Sequence, residues 1–96
     1  MKKLNEIKAL LDINKLRINE KYNIKKMGIF GSAARGEATE LSDVDILVEF
    51  EKPIGLDFVI LGDELEELLG VKVDLVTPEA IKPKMFEYIK RDLVYV

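Results

Sequence analysis

From Asp43 to Phe50 the chain alternates, with Val44, Ile46, Val48 and Phe50 on one side and Asp43, Asp45, Leu47 and Glu49 on the other. A period of two is that of a β-strand with one face in a core, so this run is expected to be a strand whose two aspartates share the opposite face. Upstream, Leu4, Ile7, Leu10 and Leu11 recur at helical spacing, and Ile13, Leu16 and Ile18 follow less regularly. Residues 3 to 21 therefore read as one helix, or as two short ones broken near Asp12. Met27, Ile29 and Phe30 form a short apolar segment before Gly31, which suits a first strand ending at a glycine turn.

Beyond the alternating run, Pro53 and Gly55 mark a loop. Apolar residues from Phe58 to Leu69 then predict a helix over 56 to 69, with Gly70 as its stop. Val71 to Val76 is expected to be a third strand, with Asp74 pointing away from the side that carries Val71, Val73 and Leu75. Thr77-Pro78-Glu79 has the chemistry of a helix start, and Pro83 predicts a second start or an irregular turn before a helix over Met85 to Arg91. The closing Val-Tyr-Val could add an edge strand. The fold class expected is α/β, or α+β: a small mixed sheet with helices packed on one face and the acids on the other face or at its rim.

Composition narrows what such a domain can do. With 96 residues the chain is expected to form a single domain, 1 to 96, with no room for a second lobe. A formal charge of −3 with both signs interspersed provides no basic stripe, so non-specific DNA binding is not expected. Cysteine and histidine are both absent, which excludes a disulfide framework and thiolate or imidazole metal sites; any metal must be held by oxygen. No apolar run approaches the roughly 20 residues of a membrane span, and the amphipathic start is unlike a secretory leader, so no membrane association and a cytoplasmic location are expected.

Three features carry candidate chemistry. Asp43 and Asp45 present two carboxylates to one small volume, a conflict that a divalent cation resolves, since Mg²⁺ takes oxygen ligands from carboxylates and substrate phosphates. The plainer alternative is a strand showing water its polar face. Asp74 becomes a third carboxylate in that volume if the second and third strands are neighbours; otherwise it is a surface residue or a partner of Lys72. In GSAARG, Gly31 permits close backbone approach, Ser32 supplies a hydroxyl and Arg35 a planar fork matched to phosphate, although such a segment taken alone is more often an ordinary glycine turn. It fits neither a Walker loop nor G-x-G-x-x-G.

Taken in order, the strand, the Gly-Ser turn, Arg35, the pattern G-S-x(10)-D-x-D and the later Asp74 resemble the nucleotidyltransferase superfamily of DNA polymerase beta. The length and the tail K-V-D-L-V-T-P-E-A-I-K-P look like its minimal nucleotidyltransferases, small proteins commonly encoded beside a HEPN-domain partner as antitoxin and toxin. The resemblance implies that Gly31 and Ser32 hold the terminal phosphates of ATP with Arg35 assisting, and that Asp43 and Asp45 bind two Mg²⁺ ions. It further implies that Asp74 binds the catalytic metal and activates an acceptor hydroxyl, a tyrosine of the HEPN toxin. The rival readings are a binding module that neutralises the toxin by contact alone, and a stand-alone enzyme acting on a small molecule, which lacks room for a substrate lobe.

Overall fold

The computed structural model describes residues 3 to 39 and 42 to 96. A long helix α1 (Leu4–Tyr22) leads into strand β1 (Ile24–Phe30), the short helix α2 (Gly31–Arg35) and strand β2 (Val44–Phe50). Helix α3 (Asp57–Leu69), strand β3 (Val73–Val76), a single 3-10 turn (Pro78–Ala80), helix α4 (Pro83–Asp92) and a two-residue strand β4 (Val94–Tyr95) complete the chain. The sheet order is β3-β2-β1-β4, with β2 and β3 parallel and the other two pairs antiparallel.

The elements follow the sequence pattern closely, and the differences have local causes. Helix α1 runs unbroken through Asp12, because Ile7, Leu11 and Ile18 stay on one buried stripe while Ile13 and Leu16 face solvent. It stops at Asn23, which takes the left-handed conformation (φ 55°) open to asparagine at a helix end. Strand β1 begins earlier than its apolar run suggests: Ile24 is buried, and a register shift between Ile24 and Lys26 lets two exposed lysines sit inside the ladder. Gly70 ends α3 with φ 68°, its N–H donating to the Glu66 carbonyl at 2.8 Å. Pro83 occupies the first turn of α4.

One core lies between the sheet and helices α1 and α3. Ile7, Leu11 and Ile18 of α1, Leu61, Leu65 and Leu69 of α3, and Ile29, Ile46 and Val48 of the sheet are all buried there. Glu64 fastens α1 to α3: its carboxylate accepts from the buried Tyr22 hydroxyl (2.7 Å), Lys21 Nζ (2.9 Å) and Arg17 Nη1 (2.6 Å). The other sheet face is not bare. Leu47, pointing away from Ile46 and Val48, is also buried, and a Cβ added to Gly28 would press on Leu93, just past α4. Helices packed on one face therefore describes α1 and α3, while the chain around α4 leans over the acid side. Among the described residues no helix is long and apolar enough to cross a membrane.

Candidate active site

Strand register decides which acids meet. In the parallel ladder between β2 and β3, Asp45 is paired directly with Asp74, so the two carboxylates are lateral neighbours on the face turned away from the core. On the other side of Asp45 the ladder partner is Phe30, the last residue of β1, so the turn at Gly31 begins beside it. Asp43 is exposed and lies one residue before β2; the ladder takes hold at Val44, whose N–H donates to the Lys72 carbonyl at 2.9 Å.

The Gly31 turn is shaped around Asp45. Gly31 has φ 71°, and a Cβ there would run into Asp45 Oδ2 and stand 3.2 Å from its Cγ. Only glycine combines that backbone with that proximity. Helix α2 then makes little more than one turn and is closed by Gly36 (φ 74°) and by the Glu37 N–H donating to the Ser32 carbonyl at 2.9 Å. The Gly-Ser turn thus delivers its backbone to within touching distance of a carboxylate.

Electrostatically the acids are short of counter-charge. None of Asp43, Asp45 and Asp74 is in an ion pair with a described residue. Burial pushes the Asp45 carboxyl above the usual aspartate range, the neighbouring Asp74 and Asp43 push it further, and Arg35 offsets part of this. Arg35 itself is committed elsewhere: its Nη1 donates to Asp92 Oδ2 of α4 at 2.5 Å and its Nε to Glu37 at 3.1 Å. Sequence reasoning had no means of finding Asp92, which sits in a basic last turn far along the chain.

The structure thus brings Asp45, Asp74 and Gly31 together, with Asp43 within electrostatic reach. The expected convergence of three carboxylates is not fully realised: among the described residues no group of three or more Asp, Glu, His or Cys side chains is gathered closely enough to hold a metal ion. The reason is the position of Asp43, outside the pleat that fixes its two partners, and the mutual repulsion of like charges. The donor chemistry nevertheless fits a hard divalent cation. All donors are carboxylate oxygens, that of Asp45 is partly desolvated, and the adjoining cradle would be filled by a single Cβ.

Known proteins resemble this chain along most of its length. A family model described as a nucleotidyltransferase domain matches residues 11 to 96. A Methanocaldococcus jannaschii protein named "Putative protein adenylyltransferase MJ0128" is 53% identical over 98 residues, covering 100% of both chains. Protein adenylyltransferase MntA of Thermococcus cleftensis is 45% identical over 94 residues, spanning 97% of this chain and 95% of its own. A solved structure titled "Structure of putative minimal nucleotidyltransferase" superposes with a TM-score of 0.82 at 36% identity, over 97% of this chain and 95% of the other. The fold also recurs, at 17% identity and a TM-score of 0.64, in a chain of a solved complex of a tri-AMPylated Shewanella oneidensis HEPN toxin with MNT antitoxin; 91% of this chain and 69% of that one are covered. A sheet that sets Asp45 beside Asp74 against a Gly-Ser turn, and a family match over most of the sequence, lead to one conclusion: this chain belongs to the nucleotidyltransferase domain family.

Proposed function

We propose that this protein transfers AMP from ATP to a hydroxyl of a protein partner, a HEPN-type toxin, and thereby acts as its antitoxin. The observation that supports this most is the in-register Asp45–Asp74 pair abutting the Gly31 turn, a concentration of uncompensated negative charge with no structural use in the fold. Asp43, Asp45 and Asp74 would hold two Mg²⁺ ions, which supply charge neutralisation at the phosphates and at the attacking and leaving oxygens. Gly31 and Ser32 offer backbone N–H groups and a hydroxyl to the terminal phosphates. Arg35, tied to Asp92 and Glu37, has to exchange one of these partners to reach a phosphate, or else serves by holding α2 against α4.

Asp74 is the more exposed member of the pair and stands on the edge strand, where an incoming hydroxyl has access. Its carboxylate takes the proton of the acceptor hydroxyl as that oxygen bonds to the α-phosphorus and pyrophosphate leaves. Asp45, wedged against Gly31, would hold a cation beside the turn that receives the phosphates. The test is intact mass spectrometry of the co-purified partner after incubation with ATP and Mg²⁺. One or a few added adenylate masses are expected, and none with Asp43 and Asp45 both changed to Asn. Unmodified partner together with full protection of cells by the double variant would instead establish neutralisation by contact. That second reading draws on the exposed Leu56, Val59 and Ile60 at the start of α3 and Met85 and Tyr88 on α4, apolar groups available to a partner surface.

A further inference from the structure

At the β4 edge of the sheet, away from the β3 edge that carries Asp74, a cleft of about 260 Å³ opens between α1 and the β1–β4 pair. Its floor is apolar, made by Leu11, Ile18, Met27 and Val96. Its rim carries three exposed lysines, Lys15, Lys25 and Lys26, and one wall is Tyr95, 53% exposed. None of these lysines makes an ion pair with a described residue, whereas Arg17, Lys21 and Arg35 all do. Lys26 stands directly across the ladder from Glu49 and still does not join it; its Nζ lies over the Tyr95 ring, 5.7 Å from the centroid. In a chain of net charge −3, this is a local concentration of positive charge around an oily floor.

We propose that this cleft docks a segment of a partner protein in which a large apolar side chain is flanked by carboxylates. A free phosphate or other bare anion would satisfy the rim and leave the floor wet; an uncharged apolar group would fill the floor and leave the lysines without counter-charge. A peptide is favoured over a small molecule because the cleft adjoins β4, which among the described residues lies at the edge of the sheet, the kind of position to which an extended chain can be added. Geometry keeps docking apart from chemistry. Lys26 and Phe30, the latter beside Asp45, are four residues apart on β1, about 13 Å at 3.3 Å per residue. A partner can therefore be held at the cleft while its hydroxyl reaches the acids, which makes the cleft a means of selecting the acceptor protein. The inference rests on the reading that the acceptor is a protein, but its test does not require transfer activity.

The test uses the ¹⁵N-labelled full chain and a hexapeptide with a central Leu-Phe flanked on each side by two acidic residues. Saturable amide shifts are expected at Lys25, Met27, Tyr95 and Val96. Affinity should fall at least tenfold when Lys15, Lys25 and Lys26 are all changed to Gln, with the amide spectrum otherwise preserved, and should be unchanged in Asp45→Asn. A peptide with lysines in place of the acids should not bind. The proposal is overturned by no cleft shifts at millimolar peptide, by equal binding to the triple Gln variant, by loss of binding in Asp45→Asn, or by AMP or inorganic phosphate alone giving the same shifts with equal affinity, which would mark a simple anion subsite. If adenylate transfer fails while the peptide binds, the docking site stands and the enzymatic reading falls.

Discussion

Replacing Glu64 by Gln tests the fastening between α1 and α3, and the size of its effect can be worked out in advance. Three donors hold the Glu64 carboxyl at about 2 against its ordinary 4.5: first the Tyr22 hydroxyl, then Lys21, then Arg17. Taken at face value, about 2.5 pH units correspond to roughly 3.4 kcal/mol. Arg17 and Lys21 are each about half exposed, at 54% and 53%, so water screens both and much of that sum is lost. The Tyr22 bond is the better shielded, since Tyr22 is 1% exposed. About 1 to 2 kcal/mol is expected to remain, or a fall of roughly 5 to 15 °C in melting temperature for a domain of this size.

The sign of the pH dependence follows from a depressed carboxyl. Its contribution is fully present above 4.5 and is lost as pH falls toward 2. Thermal melts of wild type and Glu64→Gln, followed by far-ultraviolet circular dichroism, should therefore differ most at pH 7 and draw together between pH 4.5 and about 2. A gap of constant size across that range, or no gap at neutral pH, would refute the reasoning and leave helix packing to the apolar contacts alone.

Other outcomes are expected at the site. Gly31→Ala forces a side chain into a left-handed backbone and against Asp45; a loss of about 1 to 2 kcal/mol in urea denaturation should accompany near-complete loss of nucleotide binding, measured by calorimetry with ATP and Mg²⁺. Asp45→Asn should behave in the opposite way: because burial and like charges raise the Asp45 carboxyl, its ionised form costs stability once pH exceeds the folded value. In chelator at pH 7 the variant should therefore melt above wild type, with the gain vanishing at low pH. Arg35→Ala and Asp92→Asn should lower melting temperature by similar small amounts if Arg35 is a strut between α2 and α4, and differential scanning fluorimetry with and without ATP separates this from a phosphate role, in which only the arginine change weakens binding.

What the sequence disclosed and what it hid have different physical origins. The alternation from Val44 to Phe50 fixes the side of Asp45, and the same period in Val73 to Val76 fixes that of Asp74, because a pleat leaves no other choice. Their meeting then required only that β2 and β3 be adjacent. The start of β1 was concealed by Lys25 and Lys26, whose charge masks a strand that a register shift makes possible. Arg35–Asp92 and Glu64–Tyr22 join residues distant in sequence through polar side chains, for which no periodicity exists to be read. The incomplete gathering of Asp43 has the same root: one residue outside the ladder, its side chain is placed by no repeat.

The parallel pairing of β2 with β3 has a kinetic consequence. The two acids lie on either side of α3, so they become neighbours only after that helix has crossed the sheet and β3 has docked, a contact of high sequence separation that forms slowly compared with the turn between β1 and β2. A nascent or clipped chain can carry the Gly31 turn and Asp45 and still lack Asp74. Competence at the acids is therefore incomplete until β3 has docked beside β2, and it is lost wherever the β3 edge opens.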